Sequence, residues 1–156
     1  MKKIGPLLLA ILIPVAVGAI SGFFTASSVD GWFTTLQKPS FNPPNWLFGP
    51  VWTSLYILMG IASWMVWKQP ASVQRTKALR LYGVQLFFNF CWSLIFFYLH
   101  QPGWAFLEII ILWLLILLTI FSFSRVQKTS PWLLVPYISW VSFASILNYA
   151  IWNLNK

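Results

Sequence analysis

The sequence is poor in acidic, thiol and imidazole side chains. Its 156 residues include only two acids, Asp30 and Glu108, one cysteine, Cys91, and one histidine, His100. A single cysteine excludes an intramolecular disulfide. Two acids far apart in the chain give no carboxylate pair for acid–base catalysis, and a lone histidine gives no zinc-type cluster. The sequence therefore predicts no metal site and no conventional catalytic constellation.

Motifs for the common cofactors are also missing. The chain has no CxxCH for covalent haem, no glycine-rich phosphate loop and no Rossmann-like fingerprint. It has no internal repeat, which argues against the duplicated halves of many secondary transporters. We expect a single domain over residues 1–156 with no required cofactor. Any chemistry must then come from aromatic side chains or from the ligand itself.

Apolar residues, in contrast, make up 59% of the chain, and charged residues only 8%. A soluble domain of this size could not bury so much apolar surface. Five stretches approach the ~20 residues that cross a bilayer as a helix. They are roughly Ile4 to Ala26, Leu47 to Trp67, Leu81 to Leu99, Trp104 to Phe123 and Pro131 to Leu154. The predicted fold class is an all-α integral membrane protein with five transmembrane helices in one bundle.

The net charge of +8 indicates membrane topology rather than nucleic-acid binding, because the basic residues lie at span ends and in loops. The side of the N-terminus carries Lys2, Lys3, Lys68, Arg75, Lys77, Arg80, Arg125 and Lys128, and the other side only Lys38 and Lys156. This bias predicts an N-terminus inside, with the C-terminus and the first loop outside. The opening MKK and its apolar run are also typical of a signal peptide. Because the run is long and Pro6 and Pro14 interrupt it, we expect it to be retained.

Tryptophan is unusually frequent, with 11 residues. One group lies at or near span ends, where aromatic belts form: Trp46, Trp67, Trp104, Trp132 and Trp152. A second group lies deeper: Trp52, Trp64, Trp92, Trp113 and Trp140. Because an indole N–H needs a partner away from water, we expect the deep rings to face the bundle interior or a polar ligand.

Small and polar residues share helical faces with several deep tryptophans. The spacings i, i+4 and i+7 or i+8 place each set on one face. The sets are Trp52, Tyr56 and Gly60 in the second span, Gln85, Asn89, Trp92 and Ser93 in the third, and Trp140, Ala144, Leu147 and Asn148 in the fifth. The amides either bond to neighbouring helices or form the wall of a ligand pocket.

Three further features each allow two interpretations. Gly18 and Gly22 form a GxxxG pair, which serves either helix packing or a flat ligand laid against the backbone. Glu108 is an intramembrane carboxylate and so a functional candidate, but its place near the positive end of its helix favours a structural role. Asp30, in the first loop, is expected to be solvated or to cap local backbone.

Four segments together are typical of a known family. They are WFTTLQKPSFNPPNWLFGPVWTSLYILMG from Trp32, GVQLFFNFCWSLIFF from Gly83, GWAFLEI from Gly103 and VPYISWVSFASILNYAIW from Val135. They resemble the TspO/MBR family, the tryptophan-rich sensory proteins related to the mitochondrial translocator protein or peripheral benzodiazepine receptor. The resemblance covers nearly the whole chain, with five spans in the family's order.

The resemblance implies a bacterial cell-membrane protein, a homodimer of five-helix bundles, each with a pocket closed by the first loop. It implies binding of porphyrins such as protoporphyrin IX and of isoquinoline carboxamide and benzodiazepine-type compounds. Carried over by motif, the ligand-binding residues are Phe48, Gly49, Trp52, Asn89, Trp104, Ile111, Trp140, Ala144 and Leu147, and the lid residues are Trp32, Pro43 and Pro44. The family's sterol motif fails here, because six residues separate Tyr149 from Lys156.

The family's association with light- and oxygen-dependent porphyrin breakdown suggests a mechanism for this chain. A porphyrin would stack on indoles and, when excited, generate reactive oxygen or accept an electron from Trp52 or Trp140, the candidate catalytic residues. Trp52 should touch the ligand, and Trp46 need not. The alternative is a sensor or transport protein for tetrapyrroles, lipids or sterols that leaves its ligand unchanged.

Overall fold

The computed structural model describes residues 4–156, so Lys2 and Lys3, assigned above to the inner side, lie outside the described residues. The helices are α1 (Ile4–Asp30), α2 (Trp32–Thr35), α3 (Asn45–Trp67), α4 (Val73–Ser93), α5 (Pro102–Ser124) and α6 (Val135–Asn155). A π-helical turn, Leu94–Tyr98, extends α4, and a 3-10 turn, Ser130–Leu134, precedes α6. Five of the resulting segments are long and apolar enough to cross a membrane. The prediction of an all-α membrane protein with five spans is confirmed.

The helix α4 begins eight residues before the predicted start of the third span, at Val73 instead of Leu81. Its start is fixed by Ser72, whose hydroxyl oxygen accepts a hydrogen bond from the backbone N–H of Arg75 at 3.0 Å. The basic residues that follow have good helix propensity, although they do not belong in hydrocarbon. The apolar pattern locates the membrane part of this helix, and the capping serine locates its first residue.

The helices α1 and α3 pack closely at Gly60. A Cβ atom placed there would lie 2.7 Å from the carbonyl oxygen of Ala10 and 2.9 Å from the backbone nitrogen of Ile11. On the other side of the bundle, α5 packs against both α4 and α6. The face of α6 that points toward α1 and α3 instead borders a cavity.

A buried chain of hydrogen bonds joins α3, α4 and α6. The hydroxyl of Tyr56 donates to Asn89 Oδ1 at 2.7 Å, and Asn89 Nδ2 donates to the hydroxyl oxygen of Tyr137 at 2.8 Å. The Tyr137 hydroxyl donates in turn to Gln85 Oε1 at 2.7 Å. All four side chains are buried. Because polar groups cannot bond to water inside a membrane, this network fixes how the three helices sit against one another.

Candidate functional site

A cavity of about 460 Å³ lies between α1, α3, α4 and α6. Its lining comes from the second half of α1, Phe33 of α2, the first half of α3, the end of α4 with its π-helical turn, and α6 from Trp140 to Ile151. These segments all lie in the half of the bundle next to the first loop, residues 31–44. The volume is in the range of small-molecule sites, and the lining is mostly apolar and aromatic, as such sites are.

Trp52 and Trp140 enter this cavity from different helices, α3 and α6. Trp52 stacks on Tyr56, with ring centroids 5.7 Å apart and an interplanar angle of 29°. Trp140 lies edge-on to Phe48 with centroids 6.0 Å apart. Phe48, Gly49, Ala144 and Leu147 also line the cavity. Six of the predicted ligand-binding residues are thus brought together at one site, and their contact with a ligand stays a prediction.

The deep indoles differ in what their N–H groups bond to. Trp92 Nε1 donates to Asn148 Oδ1 at 2.9 Å, and Trp113 Nε1 donates to the hydroxyl oxygen of Ser142 at 2.8 Å. Trp140 Nε1 is buried and has no hydrogen-bond partner. A buried donor without a partner is costly. Trp140 therefore differs from Trp92 and Trp113 in carrying an unpaired buried N–H next to the cavity.

The two glycines of α1 differ in what surrounds them. A Cβ atom on Gly18 would lie 2.7 Å from Cδ2 of Tyr56, so Gly18 makes room for that ring. A Cβ atom on Gly22 would meet no atom within 4 Å, although Gly22 also lines the cavity. Gly18 is a packing residue, and Gly22 widens the cavity.

Asn89 is not part of the cavity lining. Both polar atoms of its amide are used by Tyr56 and Tyr137, so the hydrogen-bond network occupies the side chain that the resemblance assigned to a ligand. For Gln85 and Asn89 the structure supports helix-to-helix bonding rather than a pocket wall. On the same helical face, Trp92 and Ser93 do reach the cavity.

Trp104 and Ile111 do not reach the cavity either. They lie on α5, which contributes nothing to the lining, and their exposed fractions are 67% and 41%. Since α4 and α6 pack against α5, the two side chains point away from the bundle interior. The geometry gives them a place at the outer surface of the protein and no contact with a ligand in this cavity.

The predicted lid residues Trp32, Pro43 and Pro44 are not among the residues that line the cavity. Trp32 does not line the cavity but stacks on His100, with centroids 4.3 Å apart and an interplanar angle of 12°. Ser28 Oγ lies 3.1 Å from Nε2 of the same histidine. The residue of α2 that faces the cavity is Phe33, which is buried. Trp32 therefore packs α2 against the turn between α4 and α5, and Phe33 is the residue of α2 that forms part of the cavity wall.

Pro43 and Pro44 directly precede the first residue of α3 and do not line the cavity. The first loop is held across the bundle end by α6 instead. The backbone N–H of Gln37 donates to Asn155 Oδ1 at 2.9 Å, and Asn155 Nδ2 donates to the carbonyl oxygen of Gln37 at 2.8 Å. Phe41 packs edge-on against Phe143 of α6, with centroids 6.2 Å apart.

Phe33, Phe96, Phe97 and Asn155 are site or lid residues that the sequence did not single out. Phe96 and Phe97 line the cavity from the π-helical turn, where the backbone N–H of Leu99 donates to the carbonyl oxygen of Leu94 at 2.8 Å. Such turns change which side chains face inward and often occur at functional sites. No ordinary helical periodicity signals them.

The charged groups near the cavity are few. Asp30 lies at its mouth, and Lys38 places its Nζ atom 4.7 Å from the centre of the Phe33 ring. Glu108 is buried outside the lining, and neither carboxylate oxygen has a hydrogen-bond partner. Among residues 4–156, no three metal-binding side chains lie close enough together to hold an ion. The arrangement is suited to an aromatic ligand held mainly by apolar contact.

Comparison with known proteins agrees with this architecture. The profile of the TspO/MBR family matches residues 10–153. The chain is 44% identical to the tryptophan-rich protein TspO of Chlorobaculum tepidum over 99% of its own length and 98% of that protein. It is 44% identical to the TspO protein of Archaeoglobus fulgidus over 96% of each chain. It is 36% identical to the translocator protein of Sus scrofa over 90% of its own length and 86% of that protein. The chain is therefore an integral membrane protein of the TspO/MBR family.

Proposed function

We propose that the protein binds porphyrins such as protoporphyrin IX in the cavity and promotes their breakdown by light and oxygen. The observation that carries the proposal is the entry of Trp52 and Trp140 into one cavity from two helices. A porphyrin is a flat aromatic macrocycle, and each aromatic contact adds about 0.5–1.5 kcal/mol beyond the burial of area. Phe33, Phe48 and Phe96 supply further ring surface at the same site.

The mouth of the cavity offers one way to orient such a ligand. Porphyrin side-chain carboxylates are charged, and charged groups avoid the apolar interior. Lys38, in the first loop, places its Nζ atom 4.7 Å from the centre of the ring of Phe33, which lines the cavity. The proposed pose therefore has the macrocycle between the indoles and the carboxylates toward the first loop, on the side of Lys38 and away from Asp30.

The chemistry would start from the ligand, because among the described residues the cavity lining includes one acid, Asp30, and no histidine, cysteine or lysine to pair with it. A light-excited porphyrin either passes its energy to dioxygen or takes one electron from an indole. Electron transfer leaves an indole radical cation and a porphyrin radical anion. Dioxygen adds to that radical anion by forming a C–O bond, and the adduct returns one electron to the indole radical cation. The indole is then restored, and a neutral porphyrin–dioxygen adduct remains, in which the macrocycle can be cleaved. Trp52 stacks on Tyr56, which keeps its ring fixed against the ligand space.

The test is illumination of purified protein with protoporphyrin IX in the presence of oxygen, with loss of porphyrin absorbance and the products followed against a dark control. Trp52→Phe and Trp140→Phe should bind porphyrin but degrade it more slowly. Trp46→Phe is the matched control, because Trp46 is exposed and outside the lining. Degradation by both cavity variants at the wild-type rate would make the indoles packing groups only.

Analysis of the recovered ligand separates this proposal from a sensor or carrier. A porphyrin recovered unaltered after illumination, with tight binding intact, would indicate that the protein reports on or transports the tetrapyrrole. Isoquinoline carboxamide and benzodiazepine-type compounds should compete with porphyrin, since they would occupy the same aromatic space. Competition by sterol would instead support lipid handling.

A further inference from the structure

A second, smaller cavity of about 160 Å³ lies at the opposite end of the bundle. It is formed where α4 begins and α5 ends, and it is lined by Val73, Gln74, Lys77, Ser122 and Arg125. Two cations, Lys77 on α4 and Arg125 directly after the last residue of α5, thus share a recess with a hydroxyl and an amide. We propose that this recess binds the headgroup of an anionic phospholipid.

The two cations have no internal counterion. The chain contains only two acids, Asp30 at the end of α1 and Glu108 near the start of α5. The rise per residue of an α-helix places Arg125 roughly 25 Å from Glu108 along α5. Both acids therefore belong to the half of the molecule that contains the large cavity. An anion in the small recess would meet Lys77 and Arg125 without competition from a carboxylate.

Arg75 shows the contrasting case of a basic residue used by the fold. One terminal nitrogen, Nη1, donates to the carbonyl oxygens of Trp67 at 3.0 Å and Gln69 at 2.6 Å, which holds the loop before α4. Lys77 and Arg125 make no such bonds among the hydrogen bonds of residues 4–156. Their charges are available to a ligand.

The surface next to the recess favours a lipid over free phosphate. One turn along α5 from Ser122, the side chain of Leu118 is 52% exposed, and two turns along α4 from Lys77 that of Val84 is 44% exposed. Both lie toward the centre of the membrane. An acyl chain attached to a headgroup in the recess would contact this apolar surface, whereas inorganic phosphate would make no contact with it.

The basic residues place the recess in the cytoplasmic leaflet, where anionic lipids concentrate. The recess lies on the side that the positive-inside rule assigns to the cytoplasm. Lysine and arginine near an anionic membrane surface attract its lipids, and basic pockets between transmembrane helices on that side hold anionic headgroups. Removal of both cations should therefore weaken headgroup binding at least about tenfold.

The experiment uses the full chain in nanodiscs of phosphatidylcholine, with and without phosphatidylglycerol, and native mass spectrometry of the lipids that stay bound. Wild-type protein should retain phosphatidylglycerol in preference to phosphatidylcholine. The Lys77→Gln, Arg125→Gln double variant should lose this preference. Lys128→Gln is the single-charge control, an exposed residue on the same side outside the recess, and it should keep the preference.

Three results would overturn the proposal. Retention of phosphatidylglycerol by the double variant would show that the recess is not the site. Equal loss in the single variants Lys77→Gln and Lys128→Gln would show diffuse surface charge. A titration with inorganic phosphate distinguishes the sources: displacement of the lipid at low millimolar phosphate would indicate a soluble-anion site. Thermal unfolding of each variant in detergent verifies that it is folded, and porphyrin binding, which concerns the other cavity, should be unchanged.

Discussion

The backbones of α3 and α1 approach so closely at Gly60 that no side chain fits between them. Gly60→Ala should lower the free energy of unfolding by about 1–3 kcal/mol, because the added methyl group overlaps backbone atoms that cannot move independently. Gly22→Ala is the matched control, since its methyl group would meet open space and improve helix propensity. Thermal unfolding in detergent measures the difference. Equal melting temperatures for the two variants would contradict the close contact between the helices.

Tyr137 is the residue on which the buried hydrogen-bond network depends. Tyr137→Phe removes the bond to Gln85 and leaves the Asn89 amide without an acceptor. We expect a loss of about 1–2 kcal/mol in the free energy of unfolding. Tyr149→Phe should have almost no effect, because Tyr149 is exposed and a phenylalanine keeps its ring contacts. A stable Tyr137→Phe protein would mean that the network orients helices without stabilising them.

The position of the first loop depends on hydrogen bonds to α6. Asn155→Ala removes both hydrogen bonds to the Gln37 backbone. Amide hydrogen exchange at Gln37 and its neighbours should accelerate up to about tenfold. An increase of that size corresponds to the loss of the free energy that one or two solvent-exposed hydrogen bonds contribute to the closed loop. Asn153→Ala, two residues earlier on the exposed end of α6, should leave the exchange unchanged. No change in either variant would show that Phe41 and Phe33 alone hold the loop.

The elements also show what the sequence could and could not predict. Apolar length located all five membrane segments, because a bilayer demands about 20 apolar residues from any helix. It missed the start of α4 at Val73, where a capping serine and basic helix formers extend the helix beyond the apolar run. It also missed the π-helical turn, since a single extra residue in one turn leaves no periodic signal.

Across the whole molecule, motif and geometry agree for the cavity walls and differ elsewhere. The family resemblance assigned Trp52, Trp140 and Ala144 to one pocket, and the structure brings them to one cavity. Helical spacing alone placed only Trp140 and Ala144 on one face, that of their own helix. It could not tell whether the amide of Asn89 faces a ligand or a tyrosine, because that depends on which helices are neighbours. It could not distinguish Trp32 from Phe33 in the lid, since both are aromatic and adjacent.

If a porphyrin occupies the large cavity, a bulky side chain at position 144 should prevent its binding. The side chain of Ala144 borders the space between the indoles, so Ala144→Phe would fill that space. Ile146→Phe is the control on the outer face of α6, where the side chain is 62% exposed. Equilibrium titration of each folded protein with protoporphyrin IX should show affinity at least about tenfold weaker for Ala144→Phe and unchanged for Ile146→Phe. Wild-type affinity in Ala144→Phe would contradict porphyrin binding in this cavity.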